Sequence, residues 1–123
     1  MRGLLVNPYI KTIEDVIVNK NDIQSVYKAM TWLAHEVSIV QVGFILPNGD
    51  NMLVDEEGAL KPGRPVWKLN GMAFVGMGLF LGSDHVDWFS AKISLADVRA
   101  YASWTNIVST GHVDTERFPH EVD

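Results

Sequence analysis

The chain has 123 residues, 47% of them apolar, which suits one domain able to bury about two thirds of its unfolded surface without staples. It has no cysteine, which excludes disulfides, thiolate zinc sites and cysteine nucleophiles and fits a reducing compartment. Its formal net charge is −5, and its ten Lys and Arg are scattered rather than gathered into the basic face that nucleic-acid binding needs. The acidity is too sparse to mimic DNA and serves solubility.

The first apolar run, within MRGLLVNPYIK, is too short for a signal peptide. Residues 3–7 (GLLVN) predict a buried strand stopped by Asn7-Pro8, and residues 12–18 (TIEDVIV) predict its β-branched partner in a hairpin. Asn21 or Asp22 can cap a helix, because their side-chain oxygens accept the free N–H groups of its first turn. Ile23, Val26, Tyr27 and Met30 then recur at helical spacing on one face.

Residues 37–46 (VSIVQVGFIL) predict a strand apolar on both faces, hence central in its sheet. Asn48-Gly49 suits the positive φ angles of a type I′ turn and returns the chain into residues 51–54. Residues 55–58 (DEEG) end that strand, and residues 59–65 (ALKPGRP) read as a loop. Residues 66–69 read as a strand, followed by a second Asn-Gly at Asn70-Gly71.

The segment FVGMGLFLG (residues 74–82) lies in the most apolar part of the chain, yet that part is far short of the roughly 20 residues that span a bilayer. As a strand it places Gly76 and Gly78 on one side, against a backbone, a bulge or a ligand. Residues 83–90 (SDHVDWFS) read as a polar loop. Ser94 caps a second helix with Leu95, Val98, Tyr101 and Ala102 on its apolar face, and Asp97 completes a capping-box pattern. Beyond Trp104 the pattern fades.

The predicted fold is therefore α+β: a mostly antiparallel sheet of five or six strands packed against two helices that cover one face. It occupies residues 1–104, with a polar tail over residues 105–123. The apolar character of residues 37–46 on both sides leaves the second face for another copy, which predicts a homodimer. A cytoplasmic protein without membrane contact is expected.

Four motifs, GLLVNP, LPNGD (residues 46–50), VDEEG (residues 54–58) and GMGLFLG (residues 76–82), together with SLADVR, resemble a family of small uncharacterised proteins of bacteriophages and integrative elements. Its members are often encoded near anti-restriction genes. The resemblance covers residues 1 to about 102. It implies a small α+β fold and an accessory role such as blocking host defences, and it transfers no catalytic residue.

Chemistry-bearing clusters are few. Asp84, His85 and Asp87 can share one cation in a loop, and His85 and Asp87 share a face in a strand; a solvated acidic loop is the favoured reading of the cluster. His112 and Asp114 repeat the spacing. Asp55, Glu56 and Glu57 can supply a carboxylate pair for acid–base work, with Asp55 and Glu56 the candidates for ligand contact, although consecutive carboxylates at a strand end usually sit in water as a turn. There is no Gly-x-Ser-x-Gly elbow, and Gly76-Met77-Gly78 lacks the later glycine of a dinucleotide fingerprint. Trp67 and Trp88 lie in or beside loops, where a tryptophan either lines the core or anchors a partner. Lys68 and Arg64 nearby can hold an anionic group.

The pattern calls for no cofactor and favours binding over catalysis. The leading reading is an accessory protein that binds a host protein or sequesters a small molecule. The alternatives are a small metal-dependent hydrolase using Asp84, His85 and Asp87, and a structural or assembly protein.

Overall fold

The computed structural model describes residues 1–84 and 87–111. Strands β1 (Arg2–Asn7) and β2 (Thr12–Ile17) pair antiparallel from Arg2↔Ile17 to Asn7↔Thr12, the predicted first hairpin. The Asn7 side chain is buried and accepts the Tyr9 N–H at 3.1 Å, which turns the chain at Asn7-Pro8. Helix α1 (Ile23–Met30) starts at Asp22, whose Oδ1 accepts the Gln24 N–H at 3.1 Å. Val26 and Met30 point into the core, whereas Ile23, on the first turn, stays exposed.

Strands β3 (Val40–Ile45) and β4 (Asn51–Asp55) form the second hairpin. Its turn is not type I′. Among Pro47, Asn48 and Gly49 only Gly49 has positive φ, at 92°, while Gly49 N–H bonds Leu46 O at 2.9 Å and Leu46 N–H bonds Asp50 O at 2.8 Å. That is a type I turn closed by a left-handed glycine. Pro47 dictates it, since proline fits the first central position of type I and cannot take the positive φ of type I′. The type I′ geometry occurs instead at Asn70-Gly71, with φ of 49° and 85°.

That second Asn-Gly joins β5 (Pro62–Leu69) to β6 (Met72–Val75). Strand β5 takes in most of the predicted 59–65 loop, which retains only a 3-10 turn at Gly58–Leu60. Its prolines are tolerated because pairing slips between Pro62 and Pro65 and again before Trp67, so the missing N–H groups fall at irregularities. Gly76, at φ 76°, then breaks the apolar segment. The chain continues through β7 (Gly78–Ser83), the two-residue β8 (Trp88–Phe89), helix α2 (Leu95–Tyr101) capped by Ser94, and β9 (Ala102–Thr110). Strand β9 lies where a polar tail was predicted and carries the folded part past residue 104. None of the helices among the described residues is long and apolar enough to cross a membrane.

The strands form two sheets rather than one. A six-stranded sheet has the order β2-β1-β7-β4-β3, with β8 attached to β7, and a three-stranded sheet has the order β6-β5-β9. Alternation on the central strands of the larger sheet feeds two cores. Leu5, Leu53, Leu79 and Leu81 meet Val26 and Met30 of α1 on one face. Leu4, Val6, Met52 and Phe80 meet Trp67 and Leu69 of the smaller sheet and Val98 of α2 on the other. The two helices therefore serve opposite cores, and the central strands have no bare face for a second copy. Strand β3 is an edge strand, not a central one; Val42 and Ile45 remain 43% and 57% exposed there.

Asp50 is fully buried at the end of the β3–β4 turn. Its Oδ2 accepts the N–H groups of Lys92 and Ile93, both at 2.8 Å, and so fastens the hairpin to the segment that leads into α2. Its Oδ1 has no donor among the described residues. Replacing Asp50 with Ala strips two charge-assisted bonds at a buried site and is expected to cost about 3 kcal/mol or more. Gly78→Ala places a Cβ 2.6 Å from Trp67 Cζ2 and is expected to cost about 1–3 kcal/mol by overpacking. Urea unfolding measures both; a Gly78→Ala loss within about 0.5 kcal/mol would show that the indole is free to shift.

Candidate functional site

The structure separates the residues singled out in the sequence. Trp67 is 0% exposed, donates its indole N–H to Gly76 O at 2.8 Å and packs 5.5 Å from the Phe74 ring. It is a core residue and cannot anchor a partner. Trp88 is half-buried against the opposite core, so the two tryptophans share no surface patch. Trp88 instead lines an open groove of about 330 Å³ with Lys20, Asp22, Ile23 and Asp87. Lys68 is half-buried on β5, and Glu56 is exposed in the turn after β4.

Asp84 and Asp87 do come together, but as a turn. The Asp87 N–H bonds Asp84 Oδ1 at 2.8 Å and the Asp84 N–H bonds Asp87 O at 3.2 Å. His85 lies outside the described residues, as do His112 and Asp114. Among the described residues no three His, Asp or Glu side chains gather as a metal site.

Asp55 and Arg64 meet in a narrow polar cleft that the sequence does not announce. Its walls include Tyr9, His35, Glu36, Asp55, Arg64 and Gly76. Trp32 and His35 exchange backbone hydrogen bonds at 3.2 and 2.8 Å, closing a tight loop in which Leu33 takes positive φ, at 54°. This loop lays the His35 ring on Tyr9, with ring centres 5.0 Å apart and planes within 13°, and Tyr9 stacks in turn near Trp32 at 6.4 Å. From β5, whose Arg64 N–H is anchored on Ser109 Oγ at 2.9 Å, the Arg64 guanidinium reaches His35 Nδ1, and its charge acts on the Tyr9 phenol. The space open to the centre of a water molecule is about 10 Å³, enough for about one water.

Charges in the cleft are arranged unevenly. Asp55 Oδ2 is held by Lys61 Nζ at 2.6 Å, while its Oδ1 accepts the N–H groups of Glu57 at 3.0 Å and Ile39 at 3.3 Å. Burial pushes the Asp55 carboxyl upward, but these bonds and the Lys61 charge outweigh it and leave its pKa below the ordinary 3.8. Burial raises the Tyr9 phenol above its ordinary 10.0 despite the opposing Arg64 charge, so it is protonated at neutral pH. Arg64 has no carboxylate within ion-pair distance among the described residues. Tyr9, His35 and Lys61 escape sequence reasoning because they converge from distant segments with no shared spacing.

A second opening is larger and mostly apolar. Phe44, Leu46, Leu69, Met72, Ile93 and Tyr101 line a groove of about 470 Å³ between the two hairpin turns and α2. Asn48, Asn70 and Asp97 form its polar rim. Tyr101 and Met72 are 56% and 46% exposed, although Tyr101 belongs to the predicted apolar face of α2; Val98 is the residue of that face that is fully buried.

No family model, curated protein or solved structure matches the chain. What the site can do therefore rests on its own geometry.

The lowered Asp55 pKa has a consequence for acid stability. A carboxyl whose folded pKa lies below its unfolded value contributes stability above about pH 4 and loses it as pH falls through the folded pKa. Asp55→Asn is expected to lower stability at pH 7 and to flatten its decline below pH 4. Urea unfolding at several pH values reads this; parallel acid limbs in both proteins would show that the Lys61 bond contributes nothing.

Proposed function

We propose that the chain is a non-enzymatic accessory protein of a phage or mobile element that acts in the host cytoplasm by binding a host protein. The observation that carries this reading is the open apolar groove beside Tyr101. An exposed tyrosine and methionine beside partly buried Phe44, Leu46 and Ile93 and buried Leu69, rimmed by amides and a carboxylate, form a surface that takes an inserted apolar side chain. The groove lining includes Asp97 and no Lys or Arg, in a chain of net charge −5, so the partner chemistry is an apolar anchor flanked by basic residues. Small-molecule sequestration is less well served. Sites that retain small ligands enclose most of their surface, whereas this groove is open and the narrow cleft admits about one water. The phage or mobile-element setting rests on the resemblance of the motifs LPNGD, VDEEG and GMGLFLG to the family of small phage and integrative-element proteins.

The test is site-specific photo-crosslinking in cells of the native host. A photo-reactive phenylalanine analogue at position 101 is expected to yield one discrete host-protein adduct. The same analogue at Glu14, on the exposed strand β2, is expected to yield none, and Asp97→Lys is expected to abolish the adduct. The substitutions at positions 101 and 14 should leave stability within about 0.5 kcal/mol, whereas Asp97→Lys reverses a charge in the first turn of α2 and should cost about 1–2 kcal/mol, short of unfolding the chain. Absence of a discrete adduct from a stably folded protein would reject the reading, as would an adduct to a second copy of the chain or a small molecule retained in native mass spectrometry.

A further inference from the structure

We infer that the partner meets this protein as an extended strand, which adds to the free edge of β3 and directs a side chain into the apolar groove. The inference rests on the proposed reading of the groove and adds the form of the segment that fills it.

An edge strand presents a row of backbone N–H and C=O groups that another strand can pair with. Strand β3 pairs with β4 on one side and with no strand on the other among the described residues. The Val40 N–H is taken by the Tyr27 hydroxyl at 3.1 Å, which leaves residues 41–45 as the open stretch, about 17 Å at strand spacing. No charged residue or proline lies in β3 to block pairing. The other edges differ. Strand β2 carries Glu14 and Asp15, β6 is four residues long, and β9, though uncharged, contributes no residue to the groove.

Register joins the edge to the groove. Gln41 lies opposite Val54 and Phe44 opposite Met52, and both partners belong to the core shared with the small sheet. Gln41 and Phe44 therefore share the groove side of β3. The register slip between Val42 and Phe44 is what turns Phe44, rather than Gly43, to that side. Phe44 and Leu46 line the groove together with Met72 and Tyr101. In a strand laid beside β3, every second residue points to that same side. Such a segment delivers a side chain to the groove and is held in place by main-chain bonds.

Charge selects the occupant. Carboxylates bracket the strand. Exposed Glu56, whose N–H bonds Ile39 O at 2.7 Å, stands at its start, and Asp97, on the groove rim, lies beyond its end. Two cations of this neighbourhood are engaged: Lys61 Nζ on Asp55 Oδ2 at 2.6 Å and Lys92 Nζ on the Asn48 carbonyl at 3.5 Å. A second copy, paired antiparallel about a two-fold axis, sets the Glu56 end of one strand against the Asp97 end of the other, acid facing acid. A segment with basic residues outside an apolar centre meets both carboxylates favourably. The occupant is therefore an extended host segment of alternating apolar residues with Lys or Arg at its ends.

The test keeps the full chain and moves the photo-reactive phenylalanine analogue to position 41, which is exposed and outside the groove lining. The host protein captured from position 101 is expected to be captured from position 41 as well. In the purified complex with that host protein, amide hydrogen exchange across residues 41–45 should slow about tenfold or more as strand pairing occupies those groups. Ile45→Lys places a cation on the free edge at a residue that is 57% exposed and does not line the groove. It should cut the adduct yield at position 101 about tenfold, whereas Lys28→Gln, on the exposed side of α1, should leave it unchanged. Capture at position 101 overturns strand addition, and spares the groove reading, if position 41 captures nothing, if exchange across residues 41–45 is not slowed, or if Ile45→Lys keeps the parent yield. Absence of an adduct at position 101 removes both. Cross-linking of two copies through position 41 overturns the inference in favour of self-pairing. The exchange measurement uses the unsubstituted chain, so the test survives even if the Ile45 variant fails to fold.

Discussion

Trp67 occupies the space where the two sheets face each other, and much of the local sequence around it is a response to its size. Its ring leaves no room for a side chain at position 78, which is why β7 opens with a glycine. Its indole N–H needs an acceptor inside the core, and the Gly76 carbonyl supplies one at 2.8 Å. Gly76 also takes a positive φ, 76°, that carries the chain from the small sheet to the large one. The two glycines of Gly76-Met77-Gly78 thus do different work: one bends the backbone and satisfies the indole, the other gives the ring its room. Gly76 and Met77 also line the polar cleft, so the packing of the tryptophan sets the floor of that cleft.

Two carboxylates flank β4, and each organises a different neighbourhood. Asp50 precedes the strand and holds the backbone of Lys92 and Ile93; Asp55 ends it and holds Lys61, Glu57 and Ile39. Both use charge to gather main-chain N–H groups that would otherwise lack partners in loops. The motifs LPNGD and VDEEG therefore carry structural carboxylates, Asp50 as the last residue of the first and Asp55 as the second residue of the other. Asp55, a candidate for ligand contact in the sequence, lines the cleft but is held by Lys61, while Arg64 has no carboxylate within ion-pair distance among the described residues.

Local signals were readable where one segment decides its own conformation. The first hairpin, both helix caps and the β3–β4 pairing follow from alternation, Asp22, Ser94 and a Pro-Asn-Gly turn. Features decided between distant segments were not readable. Strand β9 shows no clean alternation because its pairing with β5 slips around Pro65, leaving Ile107 and Val108 exposed. The division into two sheets depends on a single glycine conformation within an unbroken apolar run. Arg64 was visible as a possible anion ligand, but beside Trp67 and Trp88, whereas its actual companions are Tyr9 and His35. Stacking of two rings from loops 26 residues apart in sequence leaves no periodic trace.

The topology also constrains when this protein can become itself. Strand β1 finds its place in the large sheet only by pairing Leu4 with Phe80, and Arg2 bonds Ser90 across 88 residues of chain. The small sheet pairs Trp67 with Trp104 and runs to Thr110. Such distant pairings must close long loops before they gain any contact, which slows folding relative to local structure. On a ribosome the first hairpin and α1 can form early, but they remain without the strand between β1 and β4 until β7 has emerged. Trp67 stays uncovered on one side until β9 follows. The two cores thus mature in order, the α1 side first, and the apolar face beneath Trp67 is the surface most exposed to mispairing or chaperone capture in the interval.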